Sequence, residues 1–307
     1  GLPYAAPLTG TKLVMPGPRL DGASLTELMN DEGVTMTAGV PTVWLGLLNH
    51  WKETGDRVPS LRRLVVGGSA VPLSMVETFE RDYGVEVRHA WGMTEMSPLG
   101  TLNVLPHKWR DAPEADRRAL QCKQGRPVFG VEMTITDETG KPLPHDGRAS
   151  GDLKVRGPWV CSGYHKVDQS DAHEADGWFR TGDVATIDPD FFMNVTDRAK
   201  DLIKSGGEWI SSIDLENLAM GHPAVAQAAV IGIADEKWGE RPLLIVVAAP
   251  GETPTRDELQ AYFAERVAKW MVPDDVVVAE ALPIGATGKV LKSKLRQQHA
   301  DHRPASQ

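Results

Sequence analysis

Residues 61–91, LRRLVVGGSAVPLSMVETFERDYGVEVRHAW, decide the fold of this chain. They begin with a short apolar run that ends in two glycines, which is typical of a buried strand followed by a turn. Apolar residues at helical spacing come next, and Gly84 closes that stretch before a second run rich in valine. A strand, a helix and a strand in this order predict a βα unit of a parallel sheet.

The same alternation continues upstream of this unit. VTMTAGV (34–40) predicts a strand, and helices are predicted near Ser24–Asp31 and after Pro41. KLVM (12–15) predicts one more strand. Ligands of such folds bind at the carboxyl ends of the strands. The segments GGSAVP (67–72) and WGMTEMSP (91–98), which both follow strands, are therefore candidate binding loops.

The pattern changes after residue 120. Between residues 121 and 197, short alternating strands are separated by Gly, Pro and Asp turns, which predicts a small antiparallel sheet. Helices and strands mix again beyond that point, with capping-box spacing at Ser211–Asp214 and Thr255–Glu258. The predicted fold is α/β. It has parallel βα units (1–120), a small antiparallel β subdomain (121–199) and a smaller α+β C-terminal domain (200–307).

Composition excludes several classes of protein. The 307 residues are 41% hydrophobic and 24% charged, and they contain no apolar run of the length that a membrane span needs. A net charge of -9 argues against a general nucleic-acid binder, because phosphate backbones attract an excess of Lys and Arg. Two cysteines are too few for a disulfide scaffold or a cysteine zinc site. A cytoplasmic protein is the expectation.

Taken singly, each candidate residue has a structural as well as a functional reading. Trp91 follows a strand and could stack on a base, but it could equally be a core residue. Glu95 could hold Mg²⁺ or be a solvated loop carboxylate. Asp183 could accept hydrogen bonds from a ribose diol or close a turn. Lys289, in a loop of small residues, could reach a phosphate or be a surface lysine.

Five motifs together are more specific than any of these residues. In chain order they are HAWGMTE, GDLKVRGPWVCSGY, DGWFRTGD, DRAKDLIKSGGE and PIGATGKVLK. This set resembles the adenylate-forming superfamily of acyl-CoA synthetases, luciferases and peptide-synthetase adenylation domains, over essentially the whole chain. SGGEWISSIDLEN resembles most the acyl-CoA ligases that act on medium-chain fatty acids, including those that activate 3-methylmercaptopropionate. The Ser/Thr/Gly-rich phosphate loop of that family is absent, so the chain is expected to be the C-terminal part of such an enzyme, with a shortened relative as the alternative.

The resemblance implies ATP, Mg²⁺ and CoA as cofactors and a small carboxylic acid as substrate. Glu95 would hold Mg²⁺, Lys289 would bring a positive charge to the phosphates, and Thr94 would donate a hydrogen bond to a phosphate oxygen. Lys200 would be the hinge about which the C-terminal domain rotates between two half-reactions. The acyl pocket would include Val40, Gly92 and Met93.

Thirteen positions would bind the nucleotide or CoA by the same resemblance. Arg198 would hold the ribose and Asp183 its hydroxyls, whereas Gly206 and Gly207 would line the tunnel for the pantetheine arm of CoA. The full set of implied cofactor-binding residues is Gly68, Ser69, Ala70, Trp91, Gly92, Met93, Asp183, Arg198, Lys204, Gly206, Gly207, Glu208 and Trp209.

Other functions share these motifs and stay open at the level of sequence. One is a non-catalytic module that binds AMP or CoA. Another is an adenylating enzyme that loads the thiol of a carrier protein instead of free CoA. The identity of the acid and the oligomeric state, with a homodimer as one expectation, are not fixed by the sequence either.

Overall fold

The computed structural model describes residues 1–167, 170–285 and 288–303. The chain divides into two compact units. The first contains Gly1–Thr181 and Ala185–Val195, and the second contains Gly182–Val184 and the residues from Thr196 onward. The domain boundary predicted at residue 200 stays a prediction.

Two kinds of segment, parallel βα units and short antiparallel strands, make up the chain as far as Arg198. In order they are α1 (Leu2–Leu8), α2 (Gly22–Asp31), β1 (Met36–Gly39), α3 (Pro41–Thr54), β2 (Arg63–Val66), α4 (Leu73–Tyr83), β3 (Glu86–Gly92), β4 (Leu99–Leu102), α5 (Glu114–Gln121), β5 (Arg126–Pro127), β6 (Glu132–Thr136), β7 (Ser150–Arg156), β8 (Phe179–Ile187) and β9 (Met193–Arg198).

Strands β1, β2 and β3 pair in parallel, as the alternation of strands and helices predicted. Strands β4 and β5 extend the sheet in antiparallel fashion to give the order β1-β2-β3-β4-β5. Helices α3 and α4 contribute Trp51 and Phe79 to the buried core beneath this sheet, and Leu64 of β2 is fully buried there. Helix α4 ends at Gly84, whose φ of 67° is the left-handed cap that glycine adopts without a steric penalty.

The strand predicted for residues 12–15 is wrong, because this run lies outside every helix and strand of the described residues. A short apolar run such as this one becomes a strand only when a neighbouring strand pairs with it through hydrogen bonds.

A second sheet has the order β6-β7-β8-β9, and β6 and β7 pair antiparallel, as predicted for this region. Inward-facing residues such as Ile135, Leu153 and Ile187 are fully buried in its core, and the intervening positions are more exposed.

The remaining elements belong to the second unit. They are β10 (Ile203–Ser205), β11 (Glu208–Ile210), α6 (Ser212–Ala219), β12 (Val225–Asp235), β13 (Gly239–Ala248), α7 (Arg256–Ala264), β14 (Asp275–Val278) and α8 (Lys292–Gln298). The sheet order is β11-β10-β13-β12, and β14 pairs with β13. Thr255 and Glu258 form both halves of a capping box at α7, whereas at α6 Ser211 accepts a hydrogen bond from the Asp214 N–H.

The observed fold is therefore mixed α/β, as the sequence predicted, with one parallel βα layer, one small antiparallel sheet and a smaller α+β unit. Among the described residues, no helix combines the length and the apolar character that crossing a membrane requires.

Candidate active site

The first group of predicted site residues lies at the carboxyl end of β3. The chain leaves the strand at Gly92, enters a single 3₁₀ turn over Thr94–Met96 and returns as β4. A side chain at Gly92 would place its Cβ 1.8 Å from the Pro98 carbonyl oxygen, so only glycine fits this close approach. The narrow turn presents Thr94 at the surface and leaves Glu95 partly exposed.

The predicted adenine loop follows β2. Gly68 has a φ of 93°, a conformation that favours glycine, and Gly68 and Ser69 are exposed whereas Ala70 is half-buried. His89, a residue that the sequence analysis did not single out, lies behind this loop. Its Nε2 is 3.3 Å from the Ser69 carbonyl oxygen and its Nδ1 is 3.0 Å from the Cys122 carbonyl oxygen. Burial lowers the pKa of His89 to about 4, so the ring is neutral and its single N–H can donate to only one of these two carbonyl oxygens at a time.

Trp91 is 9% exposed and belongs to the core of the antiparallel sheet, with Met96. Gly100 lies against its ring, since a Cβ there would be 2.5 Å from the indole. Most of the Trp91 surface is therefore packed in the core. The predicted acyl-pocket residues Val40 and Met93 are half-buried in the same unit.

Glu95 is held by two hydrogen bonds, one to its main chain and one to its side chain. Its carbonyl oxygen accepts a hydrogen bond from the Cys161 N–H at 2.7 Å, and its Oε1 accepts one from the Tyr164 hydroxyl at 2.9 Å. Burial, followed by the neighbouring Glu95, raises the pKa of Tyr164 to about 12, so this hydroxyl stays a donor. No sequence rule indicated this contact, because residues 95 and 164 are distant in the chain.

Glu95 fits a magnesium ion that is shared with a nucleotide. No group of three or more His, Cys, Asp or Glu side chains that could hold a metal occurs in the part of the chain that the structure describes. Mg²⁺ does not need such a cage, because it is commonly bound by one or two carboxylates together with substrate phosphates and water. A single exposed carboxylate oxygen is compatible with that mode of binding.

The second unit brings three predicted residues together. The Arg198 Nε lies 3.4 Å from Asp183 Oδ1, and Asp183 is 6% exposed. Both charges affect the pKa of Lys289. Burial and the Arg198 guanidinium lower the pKa of Lys289, whereas the Asp183 carboxylate acts in the opposite direction. Lys289 is therefore a half-buried lysine whose pKa is lowered mainly by burial and is adjusted in opposite directions by these two neighbours. Ala286 and Thr287, which precede it in the predicted mobile loop, lie outside the described residues.

Gly206 and Gly207 are the two turn residues of the β10–β11 hairpin. Their φ angles of 59° and 87° are both positive, as in the type I′ turns that favour glycine. Beside them the Lys204 ammonium lies 4.5 Å from the centre of the Trp209 ring, and Glu208 is exposed. A Cβ on Gly206 would be 2.6 Å from the Trp238 ring, so the indole lies directly against the turn.

A cleft of about 1160 Å³ borders this turn within the second unit. Gly206, Trp238 and Trp270 are among its lining residues. Its charged lining residues are of both signs: Lys237, Arg241, Lys269, Glu208, Asp235 and Asp274. Arg241 forms part of its wall, where it is fixed by hydrogen bonds to Ser205 Oγ at 2.9 Å and to Asp274 Oδ1 at 2.6 Å. The sequence analysis missed the cleft because its residues come from β10, β13, α7 and the segment before β14.

The predicted hinge, Lys200, is exposed, and its carbonyl oxygen accepts a hydrogen bond from Arg296 Nη2 at 3.3 Å. The same guanidinium bonds Asp201 Oδ1 at 2.6 Å, so α8 contacts the hinge segment directly. One helical turn earlier, Lys292 forms an ion pair with Glu216 at 2.7 Å. Its Nζ also donates a hydrogen bond to Ser212 Oγ at 2.5 Å.

Lys292 therefore ties α8 to α6. The N-terminus of α6 is bonded in turn to the residue before Arg198, because the Ser212 N–H donates to Asp197 Oδ2 at 2.6 Å.

The candidate site thus consists of two groups, each described within its own unit. The first unit gathers the predicted adenine loop (Gly68–Ala70), Trp91 and the Thr94–Glu95 turn. The second unit gathers Asp183, Arg198 and Lys289 in one cluster and the Lys204–Trp209 hairpin with its cleft in another.

Family comparisons identify proteins with the same sequence pattern. Residues 2–165 match the model described as AMP-binding enzyme, and residues 214–289 match the model of the AMP-binding enzyme C-terminal domain. The chain is 53% identical over 301 residues to a 3-methylmercaptopropionyl-CoA ligase of Ruegeria lacuscaerulensis, covering 98% of this chain and 56% of that protein. It is 52% identical over 302 residues to a medium-chain-fatty-acid–CoA ligase of Ectopseudomonas oleovorans, covering 98% of this chain and 55% of that protein.

Solved structures agree with the sequence matches. The o-succinylbenzoate CoA synthetase of Bacillus subtilis in complex with its acyl-adenylate intermediate aligns with a TM-score of 0.80 at 30% identity, covering 99% of this chain and 58% of that one. The same enzyme in complex with ATP and a magnesium ion aligns with a TM-score of 0.79 at 29% identity, over 95% of this chain and 57% of that one. This chain spans little more than half the length of these relatives.

Proposed function

Because the chain belongs to the AMP-binding enzyme family, we propose that it serves an ATP-dependent acyl-CoA synthetase that activates a carboxylic acid as acyl-AMP and transfers the acyl group to CoA. The observation that carries this proposal is the group of Lys289, Arg198 and Asp183: Arg198 pairs with Asp183, and the half-buried Lys289 is within electrostatic reach of both. A module that only bound AMP would have no need of a partly desolvated lysine beside the ribose-binding pair.

In the first half-reaction, a carboxylate oxygen of the acid forms a bond to the α-phosphorus of ATP. The bond from the α-phosphorus to the bridging oxygen breaks, and pyrophosphate leaves with that electron pair. Negative charges are brought together, so positive charge and hydrogen-bond donors lower the barrier. The Lys289 ammonium would neutralise phosphate charge, and the Thr94 hydroxyl would donate to a phosphate oxygen.

Mg²⁺, when bound, would supply further positive charge at the phosphates, and Glu95 is the residue proposed to hold it. The related synthetase solved with ATP and a magnesium ion supports this choice of cofactors. Gly68, Ser69 and Ala70 would border the adenine, and Asp183 with Arg198 would hold the ribose. His89 would keep the adenine loop in place through the Ser69 carbonyl.

In the second half-reaction, the CoA thiolate attacks the acyl carbonyl carbon of acyl-AMP. A carbon–sulfur bond forms, and AMP leaves as the bond from the carbonyl carbon to the phosphate oxygen breaks. Gly206 and Gly207 would let the pantetheine arm pass close to the backbone. The adjoining cleft supports a role for this hairpin in CoA binding, because its two tryptophans suit a base and two lysines suit phosphates, although Glu208, Asp235 and Asp274 line it as well. Lys200 would be the hinge between the two half-reactions.

The proposed acid is a medium-chain fatty acid or 3-methylmercaptopropionate, the substrates named for the relatives that are 52% and 53% identical. Val40 and Met93 are apolar, which suits an aliphatic chain. A cytoplasmic location and a homodimer stay predictions.

The test is formation of acyl-CoA from ATP, Mg²⁺, CoA and a panel of short, medium and long acids, using this chain and the complete product of its gene. Acyl-CoA with a maximum at medium-chain acids or 3-methylmercaptopropionate is the expected result for the complete product. No thioester from either protein, with AMP or CoA still bound, would favour the non-catalytic module. Consumption of ATP with transfer only to a carrier-protein thiol would favour the carrier-loading enzyme.

A further inference from the structure

The contact between Tyr164 and Glu95 joins two segments that are far apart in sequence. The Tyr164 hydroxyl donates to Glu95 Oε1 at 2.9 Å. The other carboxylate oxygen, Oε2, has no hydrogen-bond partner among residues 1–167, 170–285 and 288–303. One oxygen is therefore fixed by the protein, and the second is left for a ligand.

The two segments are also joined by one main-chain hydrogen bond and by two hydrogen bonds from side chains to main-chain carbonyl oxygens. The Cys161 N–H donates to the Glu95 carbonyl oxygen at 2.7 Å, and the Ser97 hydroxyl donates to the Trp159 carbonyl oxygen at 3.3 Å. The Trp159 indole N–H donates to the Leu99 carbonyl oxygen at 3.2 Å. Three hydrogen bonds thus set the distance between the backbone at residue 95 and the backbone that carries Tyr164.

A half-buried aromatic residue packs against the ring of Tyr164, which is itself 41% exposed. His173 meets it edge-on at a centroid distance of 5.4 Å, and the opposite neighbour of His173 is Phe179 at 5.0 Å. Phe179 is 2% exposed and belongs to the core of the antiparallel sheet. The hydroxyl is therefore positioned by a continuous line of packed rings that starts in the core.

The hydrogen bond between Tyr164 and Glu95 is not needed to close the turn that carries Glu95. Two main-chain hydrogen bonds already close the 3₁₀ turn, namely Met96 N to Met93 O and Ser97 N to Thr94 O, and Gly92 is paired with Leu99 in the ladder of β3 and β4. A partly exposed glutamate without a side-chain partner would sample several rotamers, and a metal would have to select one of them. A hydrogen bond to one carboxylate oxygen removes that freedom before the metal binds.

We propose that Tyr164 is a positioning residue that fixes the rotamer of Glu95 and so raises the affinity of the site for the divalent metal of the metal–nucleotide substrate. The proposal rests on the proposed function, because it takes Glu95 as the metal-binding carboxylate. Tyr164 does not touch the metal or the nucleotide in this assignment.

The experiment measures Mn²⁺ binding directly, by the electron paramagnetic resonance signal of free Mn²⁺, in the presence of α,β-methylene ATP, which cannot be cleaved at the reacting bond. It uses the complete product of the gene and requires no turnover. Tyr164→Phe is expected to raise the Mn²⁺ dissociation constant about 10-fold, the lower end of the effect of removing a residue that orients a metal ligand.

Tyr83→Phe is the matched control. Tyr83 packs against Trp51 and Phe79 in the same unit, and its hydroxyl has no hydrogen bond among the described residues. This variant is expected to bind Mn²⁺ as the wild type does. If Tyr164→Phe lowers the thermal midpoint relative to Tyr83→Phe, the Mn²⁺ dissociation constant is also measured for Tyr164→Leu, which lacks the same hydroxyl.

A double-mutant cycle separates positioning from a general structural role. Tyr164→Phe is expected to add no further loss in a Glu95→Gln background, because its effect passes through the Glu95 carboxylate. An additive loss, unchanged Mn²⁺ affinity in Tyr164→Phe, or tighter binding in that variant would each overturn the proposal. Wild-type affinity in Glu95→Gln would also overturn it, since Glu95 would then not be a metal ligand. The acyl-CoA assay decides the proposed function independently of these outcomes.

Discussion

The two groups of site residues hold their functional side chains by different means. In the first unit, Glu95 and the nucleotide loop are placed by backbone geometry and by neutral donors, namely the close approach at Gly92, the Tyr164 hydroxyl and the His89 ring. In the second unit, Lys289 is placed among charges, and the helix that follows it is tied down by buried ion pairs. We expect the first group to be sensitive to shape and the second to be sensitive to charge.

The largest expected effect is on stability, for Lys292→Met. Lys292 and Glu216 are both largely buried, and Glu216 Oε1 also accepts a hydrogen bond from the Val230 N–H at 2.8 Å. Removing the cation leaves a buried carboxylate without its partner, so the free energy of unfolding is expected to fall by about 3–5 kcal/mol. Urea denaturation of the complete protein measures this loss.

The pH dependence of that loss tests its electrostatic origin. Burial already raises the pKa of Glu216, and Lys292 opposes this shift. Without Lys292 the folded-state pKa rises further above the unfolded value. The penalty is then fully present above the folded-state pKa. It shrinks as the pH falls below that value and is gone below the unfolded-state pKa, where the carboxyl is neutral in both states. Lys292→Met with Glu216→Gln should recover most of the stability at pH 8. Equal losses at acid and alkaline pH would contradict the charge-based account.

The next effect is on the chemistry, for Lys289→Ala. The adenylation rate is expected to fall by roughly 10²–10³-fold, the usual result of removing one electrostatic donor from a transition state. Thioester formation from preformed acyl-AMP should be spared, because the phosphate charge that Lys289 is proposed to neutralise belongs to the first half-reaction. Single-turnover measurements of both half-reactions make the comparison, with the exposed Lys294→Ala as control. An equal loss in both half-reactions would remove Lys289 from its assigned role.

Gly92→Ala is the corresponding test of the first unit, where shape is expected to decide. The new methyl group would meet the Pro98 carbonyl, and relieving that overlap has to shift the backbone that carries Glu95. A loss of about 1–3 kcal/mol in the free energy of unfolding is expected from such overpacking. This loss should be independent of pH.

Gly46→Ala is the matched control for this substitution. Gly46 lies within α3, and a Cβ there meets no atom within 4 Å. Alanine is favoured over glycine inside a helix by up to about 1 kcal/mol, so this variant should be at least as stable as the wild type. If Gly92→Ala proved equally harmless, the close approach at the β3–β4 turn would not constrain the site.

How much of the fold could be predicted from the sequence depended on whether a feature is encoded locally. Segments 34–40 and 61–91 were predicted well, because strand and helix periods and the glycine cap are local signals. KLVM was mistaken for a strand because pairing depends on a partner elsewhere in the chain. The roles of Glu95 and Lys289 came from motifs.

The contacts that support the site residues could not be predicted from the sequence, because they also depend on partners elsewhere in the chain. Tyr164, His89 and the Trp238 cleft act through residues that are distant in sequence and are brought together by sheet order and packing. A single sequence contains no local signal for that proximity.

The smallest expected effect concerns the titration of Lys289 and distinguishes its two charged neighbours. Burial is the main cause of its lowered pKa, Arg198 lowers it further, and Asp183 raises it. Asp183→Asn removes the raising influence, so the pKa of Lys289 should fall and the alkaline limb of adenylation should move to lower pH. Arg198→Met removes the lowering influence and should move the limb to higher pH.

Both variants also disturb the proposed ribose contacts, so the pH profile alone is not sufficient. The pH dependence of Lys289 modification by acetic anhydride, measured without nucleotide by peptide mass spectrometry, gives the titration directly. Asp152→Asn, which breaks the exposed pair with Arg180, is the control and should leave the profile unchanged. Shifts of the same sign in Asp183→Asn and Arg198→Met would mean that altered folding, and not the loss of a particular charge, governs Lys289. Opposite signs would establish that its protonation is set by the two residues proposed to bind the ribose, so that nucleotide binding and the charge of the lysine are linked.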